Sequence, residues 1–193
     1  MVLCGMFAAL VAIGAFIQIP VPYMDYFTLQ FFFVLLAGLI LGADKGAISV
    51  GCYVLLGLVG VPIFAAGGGI GYIFRPSFGY LVGFIVSAYV TGKVCEKLKA
   101  SYKNYLLACL AGFVVTYAIG IVYKFIILNF YAHTPATLGV IFLSCFPLDM
   151  PGDFVLCLLA AGVGSAIAVL LFTRRLDIIA AEAEPTYLNW FKF

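Results

Sequence analysis

Charge is what this chain has least of. Only 9% of its 193 residues are Asp, Glu, Lys or Arg, roughly a third of the share in soluble domains. With 66% hydrophobic residues and a mean hydropathy of +1.22, that scarcity excludes a soluble globular domain. The net charge of +2 gives nucleic acid no electrostatic footprint. Histidine is nearly missing, with His133 in a loop as the single instance. No GK[ST] ending follows a glycine-rich stretch, so there is no ATP-binding loop, and ATP-driven work would need another chain. Cys4, Cys52, Cys95, Cys109, Cys145 and Cys157 form no CxxC pair and mostly stand in apolar runs. They read as small hydrophobes, and neither a metal site nor a cofactor is expected. The N-terminus lacks a basic segment and a polar cleavage region, so the first apolar run reads as a retained helix.

Long apolar runs dominate what remains, near the 20 residues that cross a bilayer. The pattern predicts an all-α membrane protein, one domain over residues 1–193, with six spans. Helix 1 covers roughly Leu3 to Ile19, stopped by Pro20 and Pro22. Helix 2 covers Phe27 to Leu41, and a tight turn, Gly42-Ala43-Asp44-Lys45-Gly46, leads into helix 3, Ala47 to Gly60. Helix 4 runs from Gly79 to Leu98, helix 5 from Tyr105 to Phe130, and helix 6 from Pro151-Gly152-Asp153 to Phe172. Glu182 to Phe193 forms a mixed tail whose Tyr187 and Trp190 suit a membrane interface or a loose end.

Eight of the ten basic residues (Lys45, Lys93, Lys97, Lys99, Lys103, Arg174, Arg175 and Lys192) fall on one side of that arrangement. Basic residues near helix ends stay cytoplasmic, so both termini are expected inside. Arg75 and Lys124 fall on the outer half, with Asp25, His133, Asp149 and Asp153. Charges at membrane depth cost several kcal/mol unless paired or hydrated, so each is a candidate site residue. Asp25 and Asp149 read as ordinary loop charges.

The stretch from Val61 to Phe84, VPIFAAGGGIGYIFRPSFGYLVGF, cannot be one helix. Pro62 and Pro76 remove backbone donors, and Gly67, Gly68, Gly69 and Gly71 permit unusual angles. Irregular backbone in a membrane persists where it is buried in protein or lines a watery cavity, which makes this stretch the leading binding-site candidate. Arg75 in its middle is either a loop arginine snorkelling to the interface or a forked donor for a carboxylate. Asp153 either caps helix 6 or faces a substrate. Lys124 lies about 9 Å from the end of helix 5, within snorkelling reach. Gly5, Ala8, Ala12 and Ala15 share one face of helix 1, a small-residue stripe suited to packing inside this chain or to docking on another protein. Gly162-Val163-Gly164-Ser165-Ala166 faintly suggests a serine nucleophile, but Ser165 and His133 are expected at opposite ends, and an enzyme is not expected.

Several segments together resemble the BioY family, the membrane-embedded biotin-binding S components of energy-coupling factor (ECF) vitamin transporters. They are AALVAIGAFIQIPVP from Ala8 to Pro22, Phe27-Thr28-Leu29-Gln30 with the following VLLAGLILG, the whole glycine-rich stretch, and Pro151-Gly152-Asp153. The resemblance covers most of residues 7–84 and the start of helix 6. It implies the ECF S-component fold in the cell (inner) membrane, with an outward-facing vitamin pocket under the 3–4 loop. It also implies docking through Gly5, Ala8, Ala12 and Ala15 onto a transmembrane coupling protein driven by two ABC-type ATPases.

The family's aspartate after Pro-Gly is commonly followed three residues on by a substrate-binding lysine, and here that place is Leu156. Arg75 replaces a residue that is often small or amide-bearing, and the PTGGY run reads Pro76-Ser77-Phe78-Gly79-Tyr80. For biotin, Arg75 and Lys124 would meet the valerate carboxylate, Asp153 with Gln30 the ureido ring, and Phe64, Tyr72 and Tyr80 the apolar body. Lipoate suits such a site nearly as well, and a stand-alone carrier is the competing mode of action.

Overall fold

The computed structural model describes residues 1–19, 27–132, 134, 136–145 and 149–183, the last thirteen of these by backbone alone. Pro20, Pro22, Asp25, His133 and the tail from 184 on lie outside the described residues. Seven helices appear among them: α1 (Val2–Phe16), α2 (Gln30–Leu41), α3 (Ala43–Val59), α4 (Phe78–Lys97), α5 (Tyr102–Ile126), α6 (Leu138–Cys145) and α7 (Asp149–Ala183). Three stretches are long and apolar enough to cross a membrane: Phe78–Lys97, Tyr102–Tyr131 and Asp149–Leu170. Val2–Phe16 and Gln30–Leu41 are apolar but shorter.

The bundle is built around α2. A helix that is apolar on every side must be surrounded by protein or lipid, and α2 touches α1, α3, α4, α5 and α7. Phe31, Val34, Leu35, Leu36 and Ala37 are all buried within it. Small residues let the neighbours close in. A Cβ added to Gly38 would lie 2.6 Å from the Ala88 carbonyl oxygen of α4. Large apolar side chains such as Leu55, Leu107, Val114, Val122 and Leu159 are instead exposed on the outside of the bundle, the arrangement expected of a lipid-facing surface.

Several boundaries differ from the sequence expectation, each for a local reason. Helix α1 stops at Phe16 rather than Ile19, because Leu29 N–H donates to the carbonyls of Gly14 and Ile17, both at 3.1 Å. Beyond it, β1 (Gln18–Ile19) pairs antiparallel with β2 (Phe27–Thr28), Gln18 opposite Thr28. The expected five-residue turn after helix 2 shrinks to Gly42, at φ 81°, and Asp44 and Lys45 sit in the first turn of α3. A side chain from another helix makes this possible: Glu96 Oε1 on α4 accepts the Ala43 N–H at 2.9 Å, satisfying a helix-end donor.

Helix α5 begins three residues early and ends in a π turn, Ile127–Tyr131. Asn129 then clamps the following connection, donating to the carbonyls of Phe125 and Ala136 and accepting from Ala136 N–H. Thr137 Oγ1 accepts the Val140 N–H at 3.4 Å and starts α6, a short helix where the sequence predicts only a loop. Helix α7 begins at Asp149, two residues before the expected start, and continues to Ala183 rather than Phe172.

The small stripe of α1 is divided. Ala8 and Ala15 are buried against neighbouring helices, Ala12 is half-buried and Gly5 is exposed. All six cysteines are free thiols.

Candidate substrate-binding site

The glycine-rich stretch folds back on the end of α3. Gly60 caps that helix in the left-handed region, at φ 117°. Gly69 N–H then donates to the Gly57 carbonyl at 2.7 Å, and Phe64 and Gly67 exchange backbone hydrogen bonds of 2.8 and 3.1 Å. Gly67 and Gly69 adopt positive φ, which other residues reach only with strain. At Gly68 the need is closeness instead: a Cβ there would lie 3.0 Å from the Gly57 carbonyl oxygen. Residues Ile70–Phe74 form a 3-10 turn, and the Tyr123 hydroxyl of α5 donates to the Ile73 carbonyl at 2.6 Å. The loop is therefore pinned at both ends.

Beneath it lies a cavity enclosing about 780 Å³ of space between atoms, part of it open to solvent. One wall is Phe27 and Thr28 of β2 with Gln30 and Phe31 at the start of α2. The loop gives Ala65, Ala66, Tyr72 and Ser77, α4 gives Tyr80, Leu81 and Phe84, α5 gives Tyr117 and Lys124, and α7 gives Asp149 and Asp153.

Five of the seven residues expected to meet substrate line this cavity: Gln30, Tyr72, Tyr80, Lys124 and Asp153. Arg75 does not. It is exposed, with its guanidinium carbon 5.3 Å from the centroid of the Tyr72 ring, a cation–π distance. Phe64 stands behind the wall, its centroid 4.6 Å from that of Tyr72 and 5.5 Å from that of Tyr53. Leu156, in the place of the family's lysine, is buried in the core. Ser165 donates to the Gly162 carbonyl of its own helix at 2.9 Å, and His133 lies outside the described residues.

Among the lining residues that the sequence does not single out, Asp149 and Tyr117 bear directly on Asp153. Asp149 is in the first turn of α7, one helical turn before Asp153, rather than in a loop. The spacing of four was the signal, because it puts both carboxylates on one face. Tyr117 is buried, and its hydroxyl donates to Asp153 Oδ2 at 2.7 Å. A hydroxyl-bearing pair, Thr116-Tyr117, inside an apolar helix was its only mark. Opposite, Thr28 Oγ1 donates to Gln30 Oε1 at 3.1 Å, and Gln30 Nε2 donates to the Tyr53 hydroxyl. Tyr80 Oη and Cys145 Sγ lie 3.0 Å apart and tie α6 to the cavity.

The chemistry of this enclosure is that of reversible binding. Aromatic walls suit an apolar body, carboxylate and amide oxygens suit N–H donors, and one lysine suits an acid.

Residues 1–172 match the family model described as "BioY family". The chain belongs to the BioY family. A protein of Lysinibacillus sphaericus, named "Probable biotin transporter BioY", is 37% identical over 186 residues, 95% of this chain and 94% of that one. A Thermotoga maritima protein named "Biotin transporter BioY" is 45% identical over 130 residues, 67% of this chain and 73% of that one. The crystal structure of "the S-component for biotin from an ECF-type ABC transporter" superposes with a TM-score of 0.76 at 24% identity, covering 86% of this chain and 89% of that chain. The fold of this BioY member is thus the S-component fold, and its long apolar helices make it a membrane protein.

Proposed function

We propose that this chain takes up biotin across the cell membrane as the substrate-binding S component of an ATP-driven ECF transporter. The observation that carries the reading is the near full-length match to a protein named as a biotin transporter. The cavity supports it chemically. Biotin has an acid at one end, a ureido ring with two N–H donors at the other, and an apolar body between. Lys124 offers the cation, Asp153 and Gln30 offer acceptors, and Phe27, Phe31, Tyr72, Tyr80 and Phe84 offer apolar walls.

In this reading α1 to α5 and α7 are the six spans, and α6 packs at the outer end beside Tyr80. Both termini face the cytoplasm, supported by the eight basic residues assigned to that side. A transmembrane coupling protein and two ABC-type ATPases supply the energy, since no ATP-binding loop is present in this chain. The membrane is the cell (inner) membrane.

Titration of the detergent-purified protein with biotin, lipoate and other vitamins tests the reading. Biotin is expected to bind with a nanomolar dissociation constant, about −12 kcal/mol. Binding of lipoate without biotin would change the substrate and leave the family standing.

A further inference from the structure

Tyr53 is fully buried on α3 and does not line the cavity, yet its hydroxyl joins the cavity wall to the loop. It donates to the Ile63 carbonyl at 3.2 Å and accepts from Gln30 Nε2. The direction of this chain follows from chemistry. A backbone carbonyl can only accept, so the single Tyr53 proton goes to Ile63. The Tyr53 oxygen is then an acceptor and requires the amide nitrogen of Gln30, not its oxygen. Gln30 Oε1 is left on the side of Thr28, which lines the cavity and donates to it. An oxygen that accepts one hydrogen bond keeps a second lone pair.

We infer that Tyr53 is a positioning residue for substrate recognition: it locks the Gln30 amide with its oxygen towards the cavity, selects a ligand N–H there, and ties that choice to the backbone of the 61–69 loop. This rests on the biotin reading for the identity of the ligand, whose ureido ring supplies such an N–H. The Tyr53 ring also packs edge-on against Phe64, which packs at a tilt against the cavity residue Tyr72. The loop is thus held both through the hydroxyl and through the rings, and the two can be separated by removing one oxygen.

Tyr53→Phe keeps the ring and removes the hydroxyl. It is expected to weaken biotin binding about tenfold, the usual size of one buried hydrogen bond with its dependants. Gln30→Leu should also weaken binding. In that background Tyr53→Phe should add less than twofold, because the hydroxyl acts through the amide. A purely structural role for Tyr53 would give the same loss in both backgrounds and would overturn the inference. So would unchanged biotin affinity in Tyr53→Phe. A second measurement needs no ligand. Amide hydrogen exchange across residues 61–69 should speed up in Tyr53→Phe, with exchange in α4 and α5 unchanged. Unaltered loop exchange overturns the tie to the loop. If the wild type binds no biotin at all, the substrate reading fails, while loop exchange still decides whether Tyr53 holds Ile63.

Discussion

Lys124 is the residue whose position changes the expectations most. The sequence offers two cations to a substrate acid, and the geometry separates them: Lys124 lines the cavity, while Arg75 is exposed above Tyr72. Losing a charge-assisted bond in a largely dry pocket costs roughly 2–4 kcal/mol, about 30- to 1000-fold in affinity. Lys124→Ala should show this loss for biotin and much less for the neutral methyl ester, measured by calorimetry. Arg75→Ala should change both affinities less than tenfold, since a cation–π contact at an exposed site is worth about 0.5–1 kcal/mol. A large, acid-specific loss in Arg75→Ala would return the carboxylate to the loop. On the opposite wall, Tyr117→Phe removes the donor to Asp153 and should weaken biotin binding about three- to tenfold. An unchanged dissociation constant would mean that this hydrogen bond does not orient the carboxylate.

The polar cavity residues were legible in the sequence where a charge or amide interrupts apolar surroundings, as at Gln30, Lys124 and Asp153. Arg75 carried the same mark and does not line the cavity. Charge reports an exceptional position, but the 3-10 turn at Ile70–Phe74 decides where it points. Asp149 and Tyr117 were missed because their significance lies in a shared helix face and a contact across 36 residues. Neither is written in local composition.

Among the elements, α1 and the α4–α5 pair make distinct demands on small residues. Ala8 and Ala15 of the α1 stripe are buried, while Gly5 is exposed. Ala15→Trp should therefore lower the melting temperature and biotin binding together, because overpacking a filled interior costs typically ~1–3 kcal/mol or more. Gly5→Trp has open space around it and should spare both while reducing uptake in cells that hold the coupling module. Loss of uptake with no effect of Gly5→Trp on stability would assign docking to that end of the stripe. Normal uptake would place docking elsewhere.

The α4–α5 seam is tighter. Ser87, Thr91 and Thr116 are fully buried, and their hydroxyls have no hydrogen-bond partner among the described residues. A Cβ at Gly112 would run into Thr91 Oγ1 and lie 2.6 Å from Ser87 Oγ. The hydroxyls thus lie against a bare glycine Cα, the close approach that weak Cα–H···O contacts favour. Gly112→Ala should destabilise the protein by about 1–3 kcal/mol, read as a lower melting temperature in detergent. An unchanged melting temperature would show that the two helices have room to separate. Helices of this kind were visible in the sequence as apolar runs. The strand pair and α6 were not, since two paired residues or eight apolar ones are too short to stand out from a loop.

At the scale of the whole molecule, the proposed orientation rests on charge. An epitope tag inserted at Ala100, between α4 and α5, should be reached by antibody only from the cytoplasmic side of sealed vesicles. Detection from the opposite side would reverse the assignment of both termini. The long α7 and the turn at Gly42 would then face the other compartment as well.

The brevity of α2 has a consequence for the journey a substrate makes. Its 12 residues span about 18 Å, against a hydrocarbon layer of about 30 Å. Gln30, a cavity-wall residue, is its first residue. In the proposed six-span reading, with Leu41 at one face of the membrane, a molecule resting on Gln30 lies about two-fifths of the way into the oily layer from the other face. What remains below it is a plug of buried residues, among them Val34, Leu35, Ala37 and Gly38. No pore can open through that plug without unmaking the centre of the bundle. In the proposed uptake, the second part of the crossing then falls to a movement of the carrier around its cargo rather than of the cargo through the carrier.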